Sequence, residues 1–388
     1  MKTFFKQQIF PLAIALFLCA FLVKFFTVYK LFTVNQPPLV VSGKKASFKG
    51  CDFNFDAGKD AELNLVGSLS DKTGVTIFGS SELSNETAYI PYNFLADTLG
   101  VRVNAFGHAF HQSYAIYAEC LAMKENLNKA KICIILSPSW FETSGTNIEA
   151  FLEFVRPNFL RKIICDTSIS RKEKAGIGEY LYMNRQLMET SNSKIDYLVN
   201  CYKFQNLPIL NSYIFSKNQE FGNISYKLIE NKTSRKIKTN VHWNNSFKKV
   251  QNDFLQHATS NKIFVADSYY KLNFNTGHKS GSFSAIGTNS QEFKDFSLLL
   301  DLLEKNNADV SIVIQNLNPY HYSHLDRFKP TLNKIISLLN EKNVPFLNMF
   351  TPNKKEYIPG TLNDVMHTGD LGWLKINKFI VDTYYAEK

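Results

Sequence analysis

The stretch VTIFGSSEL, at residues 75–83, determines the architecture that we expect for this chain. Four residues of strand character run into a turn of small residues, and a polar helix start follows. A strand that ends in such a turn leaves backbone N–H groups and the hydroxyl of Ser81 at the edge of a sheet. A serine in this position can act as a nucleophile, provided that a general base reaches it.

Strand and helix patterns continue on the C-terminal side of this stretch. Strands are predicted at 101–106, 131–136, 310–314 and 344–349, and helices at 112–127, 296–304, 325–339 and 371–385. The apolar run KICIIL at 131–136 is typical of a parallel strand that is buried on both faces. The alternation of strands and helices predicts an α/β fold, with a parallel sheet flanked by helices.

The candidate general base lies near the other end of the chain, in the sequence DVMH at 364–367. A histidine takes the proton of an attacking serine, and a carboxylate holds the imidazole in the right tautomer, so His367 and Asp364 fit these two roles. Ligands of open parallel sheets bind outside the carboxyl ends of the strands. Loops that are distant in sequence are therefore expected to meet at one edge.

Further polar or small residues follow the predicted strands and are candidates for the same edge. They are Gly107 after the second strand, Ser139 and Trp140 after the third, and Asn316 and Asn318 after the strand at 310–314. The backbone N–H groups of Ser81 and Gly107 are candidate donors to an oxyanion. Ser139 and Trp140 are candidate substrate-binding residues.

Simpler interpretations of these residues remain open on pattern alone. A Gly-Ser-Ser turn is also typical of a helix N-cap, and Glu82 fits a helix-start charge better than an acid catalyst. His108 and His111 lie close together, but no carboxylate cluster accompanies them, so no metal site is predicted. The sequence has no nicotinamide fingerprint and no phosphate loop, and no cofactor is expected.

Composition places the chain among globular proteins. Of its 388 residues, 45% are hydrophobic and 20% are charged, as in globular proteins. The length is sufficient for one large domain or two. The net charge of +10 is spread out, and no run of Lys or Arg indicates nucleic-acid binding. This charge suits an anionic membrane surface or a polyanionic polymer, and equally solubility alone. The six cysteines have no metal-ligand spacing and indicate no disulfide framework.

The N-terminus predicts a membrane anchor. The apolar stretch from residue 9 to residue 29 is close to the ~20 residues that cross a bilayer as a helix. No small-x-small cleavage site follows, which favours an uncleaved anchor over a signal peptide. Lys2 and Lys6 favour a cytoplasmic N-terminus with the rest of the chain outside, although Lys24 and Lys30 reduce the charge asymmetry.

The same patterns suggest a division of the chain. We expect a membrane anchor at 1–30, a linker and irregular lead-in at 31–71, and an α/β domain at 72–388. Between about 143 and 290 the strand pattern loosens and helical stretches alternate with polar segments. This part is expected to be a largely helical insertion.

Several ordered stretches together resemble the D-alanyl transfer protein family, DltD, a membrane-anchored branch of the SGNH/GDSL hydrolase fold. FGSSEL at 78–83 is similar to the nucleophile turn of that family, with Ser81 in the place of the GDS serine. SPSWF at 137–141 resembles its Ser-Pro-Gln-Trp-Phe stretch, and NNSF at 244–247 and SQEFKD at 290–295 resemble two midsection stretches. DVMHTGDLGW at 364–373 matches its closing Asp-x-x-His-x-Gly-x-x-Gly-Trp pattern.

The chain departs from the family pattern at three points. Ser139 stands where the family has Gln, and Asp370 stands where the family usually has an aromatic residue. The SGNH asparagine, which supplies a third oxyanion donor, has no clear counterpart. These departures affect substrate contacts and leave the three triad positions intact.

The resemblance implies an SGNH hydrolase-like, flavodoxin-like sheet and a triad of Ser81, His367 and Asp364. It implies transfer of D-alanine, as an acyl ester, to a hydroxyl of an envelope polymer, which is teichoic acid in the family. It also implies two partners, a membrane-bound O-acyltransferase and a D-alanyl carrier protein, with the catalytic domain on the extracytoplasmic side of the cell membrane.

Two alternatives remain open from the sequence. One keeps the triad and changes the acyl group, giving an envelope polysaccharide O-acetyltransferase or esterase. The other is a non-catalytic anchored accessory that binds the acyl carrier protein or positions the acyltransferase.

Overall fold

A computed structural model describes residues 9–28, 36–44, 48–52, 59–142, 145–188, 192–229, 237, 241–274, 277–284 and 287–386. Lys2, Lys6 and Lys30, on which the predicted membrane orientation depends, lie outside these residues. The chain forms two compact units, one of Met1–Val40 with Val155–Ser225 and one of Val41–Phe154 with Tyr226–Lys388. The predicted boundaries between an anchor, a lead-in and an α/β domain with an insertion stay a prediction.

The secondary structure alternates strands and helices over the second unit and is helical over most of the first. The strands are β1 (Leu39–Lys44), β2 (Lys49–Asp52), β3 (Val75–Phe78), β4 (Val103–Phe106), β5 (Lys131–Leu136), β6 (Ile224–Ile229), β7 (Gly281–Ser282), β8 (Asp309–Ile314), β9 (Tyr322–Ser323) and β10 (Phe346–Asn348). The helices are α1 (Phe10–Val28), α2 (Lys59–Ser70), α3 (Pro91–Phe94), α4 (Ser113–Ala122), α5 (Ile148–Phe154), α6 (Pro157–Cys165), α7 (Arg171–Met183), α8 (Ser193–Lys203), α9 (Pro208–Ser216), α10 (Trp243–Gln256), α11 (Asp267–Asn273), α12 (Gln291–Lys305), α13 (Lys329–Glu341) and α14 (Asp370–Tyr384). Short 3-10 helices follow several strands, among them Ser81–Ser84 after β3 and Pro138–Glu142 after β5.

The first unit contains α1 and the helices α6 to α9. The segment Phe10–Thr27 of α1 has a mean hydropathy of 2.2, and none of it is buried. By length and composition this helix can cross a membrane, a criterion that an N-terminal signal sequence also meets. Near the end of α1 the ring of Phe25 lies 5.8 Å from that of Phe204, and the ring of Phe26 lies 5.3 Å from that of Tyr213.

The second unit is built on a six-stranded sheet with the order β10-β8-β5-β3-β4-β2. Every neighbouring pair in this sheet is parallel. β3 and β4 are buried along their whole length, and β5 is buried after its first residue, because helices cover the faces of the sheet. The predicted α/β fold with a parallel sheet flanked by helices is confirmed, and β3 and β5 have the predicted bounds.

The last helix, α14, closes the core next to the candidate site. Its residues Trp373, Ile376 and Ile380 are fully buried and belong to the same apolar cluster as β3 and β4. Their spacing places them on one face of the helix, as the amphipathic pattern predicts. The side-chain amide of Asn377 on α14 donates to the backbone carbonyl of Tyr89 at 2.7 Å. These contacts fix the start of α14 and therefore the loop that carries Asp364 and His367.

The expectation of an irregular lead-in up to residue 71 is wrong for the described part of it. β2 pairs with β4 at the edge of the sheet, and α2 packs against β3 and β4. The helix was missed because polar residues interrupt its apolar pattern, and these residues find their partners only in the folded chain. Ser68 hydrogen-bonds Thr76 of β3 at 2.7 Å, and the hydroxyl of Tyr226 donates to the buried carboxyl of Glu62 at 3.1 Å.

Candidate active site

The turn after β3 presents two consecutive serines that have different partners. The hydroxyl of Ser80 donates to the backbone carbonyl of His108 at 3.0 Å, and the backbone N–H of Ser80 donates to the carboxyl of Glu82. Ser81 begins the 3-10 helix Ser81–Ser84, where the helix itself supplies no acceptor for the first N–H group. The turn therefore commits the hydroxyl of Ser80 to the backbone and leaves that of Ser81 for other contacts.

Two glycines allow β3 and β4 to end close together. The N–H of Gly79 donates to the carbonyl of Phe106 at 3.1 Å, which extends the pairing of the two strands by one residue. A Cβ atom on Gly107 would overlap the backbone carbonyl of Gly79, and one on Gly79 would overlap the carboxyl of Glu82. Gly107 thus packs beneath the turn of Ser80 and Ser81, which gives it a structural role that the sequence did not indicate.

The side chains of Ser81, His367 and Asp364 form a continuous hydrogen-bonded chain. The Oγ atom of Ser81 lies 3.1 Å from Nε2 of His367, and Nδ1 of His367 lies 2.7 Å from Oδ2 of Asp364. An ionised carboxylate only accepts hydrogen bonds, so Nδ1 carries the proton, and Nε2 of the neutral ring accepts from the Ser81 hydroxyl. This is the arrangement that a general base and its orienting carboxylate require.

The environment of Asp364 favours its ionised form. Burial alone would raise its pKa, but the hydrogen bond from His367 and the backbone N–H groups of Met366 and His367 lower the pKa below its ordinary value. These two N–H groups lie 2.8 and 2.7 Å from Oδ1. The hydrogen bond to Asp364 in turn raises the pKa of His367, against the opposing effect of burial.

The loop that carries the histidine is tied to the end of β8. The side-chain amide of Gln315 donates to the carbonyl of Met366, and the N–H of Asn318 donates to the carbonyl of Val365 at 3.0 Å. Asn316 and Asn318, which the sequence placed at this edge, hold the backbone of the loops with their side chains. Gln315 was missed, although it is the first residue after β8 and the rule that singled out Ser81 and Ser139 applies to it too.

A cavity of about 290 Å³ opens in front of the Ser81 hydroxyl. Its lining consists of Ser80, Ser81, Glu82, Ala109, Phe110, Gln112, Ser137, Ser139, Trp140, Gln315, Met366 and His367. The structure thus brings together four predicted site residues at the cavity wall, Ser81, Ser139, Trp140 and His367. Asp364 lies behind His367, and Gly107 is not among the lining residues. The hydroxyls of Ser137 and Ser139 hydrogen-bond each other at 2.8 Å.

A buried histidine supports the nucleophile turn from the opposite side. Nδ1 of His111 lies 3.1 Å from the carbonyl of Gly79, and Nε2 lies 2.9 Å from the carboxyl of Glu119. His111 has no exposed surface, Glu119 is 7% exposed, and the ring of Phe154 stacks on the imidazole at 4.0 Å. A carbonyl oxygen can only accept, so Nδ1–H donates to Gly79 and a further proton lies between Nε2 and Glu119. His111 is therefore a positioning residue for the turn, which its spacing from His108 did not indicate.

No group of three or more metal-ligating side chains occurs among the residues that the structure describes. His278 and His321 hydrogen-bond each other at 3.0 Å in an aromatic cluster with Phe274 and Tyr322.

Comparison with known proteins gives one family and two relatives. A family model described as "DltD protein" matches residues 58–385, a range that contains every residue of the site above. The chain is similar to Protein DltD of Bacillus subtilis (strain 168), with 24% identity over 343 residues, 82% of this chain and 84% of that protein. It is also similar to Protein DltD of Staphylococcus aureus (strain NCTC 8325 / PS 47), with 23% identity over 318 residues, 78% of this chain and 79% of that protein.

Proposed function

Because this chain belongs to the DltD family, we propose that it is a serine acyltransferase that carries D-alanine on Ser81 and passes it to an envelope polymer. The resemblance inferred from the sequence is confirmed at the level of the family, and the parallel sheet agrees with the SGNH-like fold of that family. The family takes part in the D-alanylation of teichoic acids. The observation that carries the catalytic proposal is the 3.1 Å contact between the Ser81 hydroxyl and His367, with Asp364 behind the imidazole.

In the first step Ser81 becomes acylated. Nε2 of His367 takes the hydroxyl proton while Oγ of Ser81 attacks the carbonyl carbon of a D-alanyl thioester or ester. The new C–O bond forms, the bond to the leaving sulfur or oxygen breaks, and His367 returns the proton to the leaving group. Asp364 stabilises the imidazolium that exists between these two events.

Negative charge develops on the carbonyl oxygen in this step and needs hydrogen-bond donors. The N–H of Ser81 at the start of the 3-10 helix is the donor that we assign, because the helix supplies no acceptor for it. Gly107 stays a predicted second donor. We assign contacts with the acyl group to Ser139 and Trp140, which line the cavity.

In the second step the acyl group passes to the polymer. His367 takes the proton of a polymer hydroxyl, whose oxygen attacks the ester carbonyl on Ser81, and Oγ leaves with that proton. The product carries one ammonium group more than the acceptor did. An anionic polymer thereby loses part of its negative charge, which changes how the envelope binds cations.

The family context suggests the partners of this reaction. We propose that a membrane-bound O-acyltransferase and a D-alanyl carrier protein work with the chain, and that teichoic acid or a similar anionic polymer is the acceptor. The net charge of +10 suits attraction to a polyanion.

We propose that α1 is an uncleaved anchor and that the catalytic unit lies on the extracytoplasmic side of the cell membrane. An epitope tag placed before Met1 should then stay on the protein in the membrane fraction, and protease added outside should digest the rest of the chain. A protein that lacks the tag and is released from the membrane would instead identify α1 as a signal sequence.

Labelling with a serine-directed fluorophosphonate tests the catalytic proposal. We expect the full-length protein to be labelled and Ser81→Ala to be silent, because the nucleophile is gone. Ser80→Ala is the matched control, since its hydroxyl is bound to the carbonyl of His108, and it should still be labelled.

Complementation of a deletion strain separates the proposed function from its alternatives. Ser81→Ala should fail to restore D-alanyl esters on the polymer, as measured by mass analysis of the released ester groups. Full restoration by Ser81→Ala would mean that the protein is a non-catalytic accessory. Acetyl esters in place of D-alanyl esters would identify a polysaccharide O-acetyltransferase.

A further inference from the structure

One residue that lines the cavity in front of Ser81 carries a buried acceptor without a partner among the described residues. The residue is Gln315, which is 2% exposed and lines the cavity. Its Nε2 donates to the carbonyl of Met366, and this contact fixes which end of the amide is the oxygen. The oxygen, Oε1, is buried and has no hydrogen-bond partner within the described residues. A buried acceptor without a donor is unfavourable, so a donor on a bound molecule would be stabilised here.

The hydroxyl groups beside Gln315 do not supply that donor. The hydroxyl of Ser80 donates to the carbonyl of His108, and those of Ser137 and Ser139 bind each other. None of the described residues that line the cavity is Lys or Arg. None of these contacts supplies a donor to Oε1 of Gln315.

Glu82 adds a carboxyl group to the same wall. The residue is 2% exposed and lines the cavity, and its carboxyl accepts the N–H of Ser80. Burial raises the pKa of Glu82, whereas the nearby His367 and His111 act in the opposite direction. A cation in the cavity would favour the ionised carboxylate and would be attracted by it.

We propose that Oε1 of Gln315, together with the carboxyl of Glu82, receives the ammonium group of an aminoacyl substrate. This inference rests on the proposed function, which supplies the aminoacyl substrate, and names the residues that recognise its ammonium group. An ammonium group offers three N–H donors and a positive charge, which match the free acceptor and the carboxyl. An acetyl or propionyl group offers no donor and would leave Gln315 unsatisfied, so the cavity favours aminoacyl over simple acyl groups.

A pair of small thioesters tests this selectivity. The substrates are the N-acetylcysteamine thioesters of D-alanine and of propionic acid, which share a carbon skeleton and differ in the amino group. The readout is thiol release by the full-length protein in detergent, with the rate of Ser81→Ala subtracted. The measured quantity is the preference ratio, kcat/KM for the D-alanyl thioester divided by kcat/KM for the propionyl thioester.

We expect the unmodified protein to prefer the D-alanyl thioester and Gln315→Met to lower the preference ratio by about 10-fold to 100-fold, the usual weight of a charge-assisted hydrogen bond. Methionine keeps the length of the side chain and removes the acceptor. It also removes the bond to Met366, which slows both thioesters together, so the ratio isolates the role of Oε1. Gln112→Met is the matched control, because Gln112 lines the same cavity and is not among the side chains left without a partner; its ratio should change by less than about threefold.

Each result decides for or against the inference. Three results would overturn the ammonium site and leave the proposed serine enzyme in place. The unmodified protein could show no preference, or its preference could survive in Gln315→Met. Alternatively, neither thioester could react although fluorophosphonate labels Ser81. A Ser81 that is neither labelled nor able to cleave either thioester would instead overturn the proposed function, and the inference with it.

Discussion

Replacing His111 with alanine should destabilise the second unit more than any change at the exposed rim of the cavity. His111 is fully buried, and it links the carboxyl of Glu119 at 2.9 Å to the carbonyl of Gly79 at 3.1 Å. Its removal leaves the buried carboxyl of Glu119 without this partner and opens a void against the ring of Phe154. Leaving a buried polar group without its partner costs about 1–3 kcal/mol and the void adds to this, so we expect a loss of about 3 kcal/mol in the free energy of unfolding.

The variant Glu119→Gln is the matched control, because it replaces the carboxyl with an amide of the same shape. In this variant Nδ1–H of His111 still donates to the carbonyl of Gly79, and Nε2 accepts an N–H of the new amide. Both hydrogen bonds therefore survive in a neutral pair. The expected loss in the free energy of unfolding is below about 1 kcal/mol.

Tryptophan fluorescence during urea unfolding of the full-length protein in detergent measures both changes. All three tryptophans, Trp140, Trp243 and Trp373, lie in the second unit, so the signal reports that unit. His111→Ala should also slow fluorophosphonate labelling of Ser81, since the turn loses its support, while Glu119→Gln should be labelled nearly as fast as the unmodified protein. A loss below about 1 kcal/mol for His111→Ala, or equal losses for the two variants, would refute the positioning role.

Three more variants probe the triad, a buried carboxyl and the strand ends. Asp364→Asn should lower the rate of acyl transfer by on the order of 10³–10⁴-fold. The acid limb of its pH profile should move to lower pH, because the carboxylate that raises the pKa of His367 is gone. An acid limb at the same pH in both proteins would contradict this. Burial raises the pKa of Glu292 to about 8, so between the ordinary carboxyl pKa and pH 8 the folded state keeps a proton that the unfolded chain loses. The free energy of unfolding should therefore fall as pH rises through this range. Glu292→Gln should remove that fall, and parallel slopes of Tm against pH for the variant and the unmodified protein would count against it. Gly107→Ala should lower the free energy of unfolding by about 2 kcal/mol or more and abolish labelling of Ser81, because its Cβ would overlap the carbonyl of Gly79. Unchanged urea unfolding and unchanged labelling would show that the turn can shift to accept the methyl group.

The parts of the fold that sequence predicted well are those where one physical pattern dominates. β5 is an unbroken apolar run, and its predicted bounds match because no polar residue competes with burial. The edge rule for parallel sheets brought Ser81 and His367 to one place, across almost the whole chain. Their catalytic roles stay predictions until labelling and transfer are measured.

The parts that were missed depend on contacts between residues far apart in sequence. α2 carries Glu62 and Ser68 in buried positions, and only their tertiary partners make that burial acceptable. His111 looked like half of a weak metal pair, because its acceptor on Gly79 is a backbone oxygen that no side-chain pattern reveals. Gln315 follows the predicted strand at 310–314 and was not singled out, because only the folded chain leaves its oxygen without a partner among the described residues.

The strand order has a consequence for how this site can diverge. β5 lies between β3, which leads to Ser81, and β8, which leads to Gln315 and the histidine loop. The segment after β5 therefore lines the same cavity as Ser81 and His367, and none of its described side chains belongs to the hydrogen-bonded chain from Ser81 to Asp364. Bulk added at Ser139 would narrow the cavity and leave the hydrogen bonds from Ser81 to Asp364 in place, so the size of the cavity and these hydrogen bonds can change separately.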